Sequence, residues 1–175
     1  MENKKRNILL SKETIDERIV ELGAEITKDY EGKKLYVLSL LRGSFMFTTD
    51  LVRALDTKVK IGFMTTSSYG NSETSSGEVK IVSDIPDNIE GFDVLIVDDI
   101  VDTGYTMEFI INHVKKLGAA SVKSCVLLDK PSRRKANITP DYRCFEIDDI
   151  FVVGYGLDYQ NYYRNVPYVF NWEEN

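Results

Sequence analysis

Residues Val94 to Thr106 read VLIVDDIVDTGYT, an apolar run that ends in two acids and then turns through Asp102-Thr103-Gly104 toward a helix. The nearly continuous apolar stretch Val94 to Val97 suits a strand covered on both faces. A glycine in the tight turn lets the backbone approach a ligand closely. The free N–H groups of the helix start, aided by the Thr103 and Thr106 hydroxyls, can cradle a phosphate there. The result is an anion nest without a lysine. Asp98 and Asp99, at the strand end, can bind ribose hydroxyls or hold a magnesium ion through water. Three acids around one turn repel one another, a cost that a purely structural turn capped by Thr103 has little reason to bear. The stretch is neither a Walker loop nor a GxGxxG fingerprint.

Working outward, Ser11 is placed to cap a helix whose apolar residues Ile15, Ile19, Leu22 and Ile26 share one face. Leu35 to Leu41, LYVLSLL, has the length and composition of a buried strand, followed by Arg42-Gly43-Ser44 and a helix through Leu51 and Leu55. Val59 to Thr66 and Val79 to Val82 read as strands joined by Ser67 to Gly77, a loop of small and polar residues. Met107, Ile110, Ile111, Val114 and Leu117 line a helix ended by Gly118, and Val122 to Leu128 supplies another strand. Apolar strands alternating with helices predict an α/β fold, a mainly parallel twisted sheet flanked by helices. Such sheets bind ligands beyond the carboxyl ends of their strands, here at Arg42, at Asp98 to Thr106 and near Lys130.

The chain has 175 residues, 43% of them hydrophobic, which is enough for one domain, 1–175, with a real core. A net charge of -6 offers no basic field for a nucleic-acid backbone, so nucleic acid is not an expected partner. Cys125 and Cys144 lack any zinc-site or disulfide spacing, which fits a reducing cytoplasm. Ile8 to Leu10 is too short for a signal-peptide core or a membrane span, so no membrane association is expected.

VLIVDDIVDTGYT resembles the ribose-phosphate signature of the type I phosphoribosyltransferases. Within that family, LLRGSFMF, SSYGNSETSSGEVKI, LLDKPSRRK and FVVGYGLDYQNYYRNVPYV resemble the hypoxanthine-guanine phosphoribosyltransferases over nearly the whole chain. The resemblance implies magnesium-dependent transfer of a phosphoribosyl group from 5-phosphoribosyl-1-pyrophosphate (PRPP) to a 6-oxopurine. It also implies a small C-terminal hood and a homodimer or homotetramer.

The same resemblance assigns roles to individual residues. Asp98, Asp99, Asp102, Thr103, Gly104, Tyr105 and Thr106 would hold the ribose phosphate, with Asp102 as the general acid/base. Arg42, Gly43 and Arg164 would bind pyrophosphate, Arg42 standing where relatives commonly carry lysine. Lys130, Phe151, Val152 and Asp158 would bind the purine, and Ser68 with Tyr69 would belong to a lid. Asp98, Asp99 and Asp158 would serve the metal. On its pattern alone, Phe151 reads as a core residue. Asp98-Asp99 replaces the Glu-Asp of many relatives and so reaches less far. A lysine has only donors, so Lys130 would donate to the exocyclic oxygen of a 6-oxopurine and mismatch the amino group of adenine, itself a donor. A competing reading is a regulator that keeps this fold to sense nucleotides and bind nucleic acid. The acidic balance, and the presence of Asp102, Lys130, Asp158 and Arg164 together, weigh against it. His113, off the apolar face of its helix, is assigned no catalytic role.

Overall fold

Side chains alternate across a strand, so the apolar run Leu35–Leu41 (β2) must be covered on both faces. In the computed structural model, which describes residues 5–68 and 79–173, it is. Leu35 and Val37 join a core with Ile15, Ile19, Leu22 and Ile26 of the helix Lys12–Asp29 (α1), and with Phe47 and Leu51 of the helix Phe45–Ala54 (α2). Tyr36, Leu38 and Leu40 face the opposite core, built on Met107, Ile110 and Val114 of the helix Tyr105–Lys116. Ser11 caps α1 as its sequence predicts, accepting from the Thr14 N–H at 3.2 Å.

The remaining strands are Val59–Ser68 (β3), Val79–Ser83 (β4), Asp93–Val101 (β5), Ser121–Asp129 (β6) and Tyr142–Glu146 (β7). With Tyr105–Lys116 as α3, β2 to β7 form one sheet in the order β4-β3-β2-β5-β6-β7. Every pairing in it is parallel except β3 with β4. After β2 the chain adds β3 on one side, then crosses to add β5 on the other. The switch point therefore lies between the carboxyl ends of β2 and β5, where an open α/β sheet leaves a crevice for ligands.

Three strands were not read from the sequence: β7, at one edge of this sheet, and two that complete the molecule. Arg6–Leu10 (β1) pairs antiparallel with Val169–Trp172 (β8), so the hood over the carboxyl ends draws on both chain termini. His113 lies on α3, where its Nε2 is 2.9 Å from Asp84 Oδ1 and ties the helix to the end of β4. No helix among the described residues is long and apolar enough to cross a membrane.

Candidate active site

The turn from β5 into α3 is organised around Gly104, whose φ of +88° belongs to the left-handed region that glycine adopts without strain. A Cβ there would lie 2.8 Å from Arg134 Cδ. The carbonyl oxygens of the turn face its supports. Thr103 O accepts from the N–H groups of Lys135 and Ala136, at 2.9 and 3.0 Å, and Asp102 O from Arg134 Nε at 3.1 Å. The backbone N–H groups of Thr103 to Met107, by contrast, make no hydrogen bond among the described residues. Thr103, Gly104, Thr106 and Met107 line a concavity of about 130 Å³ together with Asp98 and Asp102 among others. Free N–H groups at a helix start attract an anion.

Arg134 is the brace of this turn. Besides Asp102 O it reaches Ile138 O at 2.8 Å and the carboxylate of Asp129, which is buried at the end of β6 and also paired with Arg143 at 3.0 Å. Sequence reasoning missed Arg134, because nothing in LLDKPSRRK shows which arginine turns inward.

Across the switch point, the turn after β2 is fixed from below by buried hydroxyls. Ser39 Oγ lies 2.8 Å from both Ser44 Oγ and Thr48 Oγ1, and Ser44 donates to Leu40 O at 2.5 Å. The Leu41–Arg42 peptide is cis. Arg42 is exposed; its carbonyl accepts from the Phe45 N–H at 3.3 Å, and its guanidinium makes no hydrogen bond or ion pair among the described residues. Gly43 is pressed so closely onto the site that a Cβ would fall 1.6 Å from Asp99 Oδ2, and one on Gly156 would fall 2.0 Å from Gly43 O. Only residues without side chains allow this approach.

Asp98 and Asp99 stand side by side at the same crevice. Burial raises both carboxyl pKa values above the usual range; for Asp98 the charge of Asp99 adds to the rise, whereas for Asp99 the Arg164 guanidinium opposes it. Two desolvated acids in contact are hard oxygen donors that suit a divalent cation. Asp158, expected with them, is instead engaged by Arg164 at 2.6 Å, and Arg164 also donates to Gly156 O at 2.7 Å. Among the described residues no three acids, histidines or cysteines converge on one metal position.

On the far side of β5, Lys130 follows β6 and is almost wholly buried, its ammonium donating to Ile150 O at 2.6 Å. The next residue, Phe151, is not core: 61% of it is exposed, although Val152 and Val153 beside it are buried. Its ring is propped from behind, stacked on Trp172 of β8 at 6.4 Å and met edge-on by Tyr159. The Val152 N–H and C=O have no hydrogen-bond partner among the described residues. An exposed ring beside free main-chain groups and a buried ammonium forms a surface for a flat polar heterocycle. Tyr155 packs, its hydroxyl donating to Asp50 at 2.6 Å, whereas Tyr162 is exposed. Ser68 ends β3 at the same edge of the sheet, and Tyr69 lies outside the described residues.

Asp102 sits between the two halves. Its Oδ1 accepts from Arg133 Nε at 3.0 Å, and Arg133 Nη1 reaches Asp149 at 3.3 Å. Neither Arg133 nor Asp149 was singled out from the sequence.

Fold and site together define an α/β protein built to hold a phosphorylated ligand beside paired acids and a flat heterocycle. Residues 7–160 match the phosphoribosyl transferase domain family. Over 162 residues the chain is 46% identical to the hypoxanthine-guanine phosphoribosyltransferase of Bacillus subtilis, covering 93% of this chain and 90% of that protein. It is 48% identical over 166 residues to the hypoxanthine phosphoribosyltransferase of Haemophilus influenzae, covering 93% of each. A crystal structure of a hypoxanthine phosphoribosyltransferase from Staphylococcus aureus superposes with a TM-score of 0.94 at 45% identity, covering 99% of this chain and 94% of that one. The chain belongs to the hypoxanthine-guanine phosphoribosyltransferase family, enzymes of the pentosyltransferase class.

Proposed function

We propose that this chain transfers the phosphoribosyl group of PRPP to hypoxanthine or guanine, giving IMP or GMP and pyrophosphate. The observation that carries the reading is the pairing of an unsatisfied backbone anion cradle, Thr103 to Met107, with the Lys130–Phe151 surface on the other side of Asp102. The cradle takes the 5′-phosphate, with the Thr103 and Thr106 hydroxyls at its rim and Tyr105 contributing main chain. Asp98 and Asp99 hold the ribose hydroxyls. Phe151 stacks on the purine, Val152 offers main-chain groups to its edge, and the Lys130 ammonium donates to O6. Purine N9 attacks the anomeric carbon as the bond to pyrophosphate breaks. Asp102 accepts the proton leaving N7, so neither charge accumulates on the base. Arg42, the Gly43 backbone and Arg164 meet the negative charge that grows on the departing pyrophosphate. Ser68 and Tyr69 are the residues the family resemblance assigns to a lid.

The family generally uses a divalent metal, and Asp98 and Asp99, with Asp158 nearer the leaving group, are the residues that would serve Mg2+. When bound, the ion supplies positive charge to the sugar hydroxyls and pyrophosphate. The same reading makes the chain, 1–175, a single catalytic domain, cytoplasmic, acting as a homodimer or homotetramer. The test is pyrophosphate release from PRPP and Mg2+ with hypoxanthine, guanine, xanthine or adenine. Turnover with hypoxanthine or guanine and none with adenine is expected. Binding of PRPP without release under any of these bases would leave a sensor, not an enzyme.

A further inference from the structure

Four charged side chains form a line along the rim of the base pocket. Asp102 Oδ1 meets Arg133 at 3.0 Å and Arg133 meets Asp149 Oδ2 at 3.3 Å. Asp149 Oδ1 in turn lies 3.9 Å from the Lys130 ammonium. The two ends of the line are the groups placed at adjacent points on a 6-oxopurine, Asp102 at N7 and Lys130 at O6. The middle two touch neither position. Asp149 immediately precedes Ile150, whose carbonyl oxygen accepts a hydrogen bond from the Lys130 ammonium at 2.6 Å, and Phe151, the stacking ring. Arg133 lies on the short 3-10 turn Pro131–Arg133 that follows Lys130 directly. A displacement of either residue therefore reaches both ends of the line.

Stability does not account for this arrangement. The Arg133, Asp102 and Asp149 side chains are 41%, 42% and 52% exposed, and ion pairs so open to water contribute little to folding. Their geometric effect is larger. Arg133 engages one oxygen of Asp102 and leaves Oδ2 without a partner among the described residues, so the carboxylate is held with one lone-pair face turned free. A base whose orientation is held by a neighbour needs less rearrangement to reach the transition state.

We infer that Arg133 and Asp149 form a bridge that sets the spacing between the proton acceptor Asp102 and the O6 donor Lys130. Both are positioning residues, and Asp149 couples the stacking loop to the proton-transfer step. The inference rests on the purine-transfer reading above. It is tested in steady state with hypoxanthine, PRPP and Mg2+ on wild type, Arg133→Met, Arg133→Lys, Asp149→Asn and the double variant Arg133→Met/Asp149→Asn.

Each of the Arg133→Met and Asp149→Asn variants should lose kcat by roughly ten- to hundredfold, the scale on which supporting partners act. The KM for PRPP should stay within about twofold and Tm within about 2 °C, as expected for exposed pairs. The double variant should be no slower than the slower single, because both changes cut one line. Arg133→Lys should restore most of kcat. The bridge is overturned if the singles keep wild-type kcat, if their losses multiply in the double, or if the PRPP KM rises in step with kcat loss. Should Arg133→Met fail to fold, Asp149→Asn and Arg133→Lys carry the same test. A wild type inactive on both hypoxanthine and guanine removes the functional reading itself, whereas an active wild type with unaffected variants removes only the bridge.

Discussion

The phosphate side and the base side of the crevice are built by opposite strategies. On the proposed phosphate side the candidate groups are backbone N–H groups of one continuous turn, Thr103 to Met107, held by Lys135 and Ala136 on Thr103 O and by Arg134 on Asp102 O. On the proposed base side the candidate groups are side chains from distant segments: Lys130 after β6, Phe151 in a loop, and Trp172 behind it on β8. The loop between Tyr155 and Tyr163 adopts left-handed φ at four non-glycine residues, a conformation held only by what surrounds it. A phosphate is the same in every nucleotide and can be met by backbone. Bases differ, and must be met by side chains that can change.

Asp102 joins the two sides, so its replacement tests the comparison most severely. Asp102→Asn keeps the shape of the turn and removes the proposed proton acceptor. A fall in kcat of about 10²- to 10⁴-fold is expected, with IMP binding near wild type because the N–H cradle is intact. An undiminished kcat, measured beside IMP titration, would take Asp102 out of proton transfer.

Gly104→Ala attacks the backbone side alone. An L side chain at φ +88° costs about 1–2 kcal/mol, and its Cβ would meet Arg134 Cδ at 2.8 Å and Ile138 Cγ1 at 3.0 Å. The KM for PRPP should rise by about five- to thirtyfold if the cradle bears that cost, at 1.4 kcal/mol per decade, while Tm falls by about 2–8 °C for a chain of this length. A normal PRPP KM would mean that the cradle does not depend on the brace.

The contrast also explains what could be read from the sequence. VLIVDDIVDTGYT was legible because its binding groups are consecutive and its strand and helix periods change at the turn itself. The central strands, α1 to α3 and the position of the crevice followed from the same periodicities. β1 was not legible: Arg6 to Leu10 is largely exposed and gains its partner only from Val169–Trp172, at the other end of the chain. FVV at 151–153 has the pattern of a core strand, yet its first ring faces water, since Trp172 and Tyr159 support it from the side. Charges such as Arg133, Arg134 and Asp149 carry no periodic signal, and their partners are set by tertiary geometry.

Lys130→Met tests the side-chain half. It keeps length and removes the donor to O6, a charge-assisted bond worth about 1.5–3 kcal/mol. The KM for hypoxanthine should therefore rise by roughly ten- to hundredfold, while the KM for PRPP moves little. A parallel loss in both would show that Lys130 supports the whole crevice through Ile150 O instead of reading the base.

The smallest expected effect is one of stability, and it lies at the twin acids on the phosphate side. Burial pushes the Asp98 carboxyl well above its ordinary value of 3.8, and the Asp99 charge pushes it further. An acid raised in the folded chain holds its proton more tightly there than in the unfolded chain. It therefore contributes stability below pH ~3.8, and that contribution is lost as pH rises through the folded value. As the pair ionises, burial and the charge of Asp99 on Asp98 make it a cost to the fold. Asp98→Asn should then raise the Tm of the free protein at pH 7 by about 2–4 °C, the scale of 1 kcal/mol in a chain this long. The gain should shrink as the buffer is taken toward pH 4, where the wild-type carboxyl is already protonated. A Tm difference that stays constant between pH 4 and 8, followed by thermal melting without ligand, would show that the two acids do not burden each other and that their place beside Gly43 has another cause.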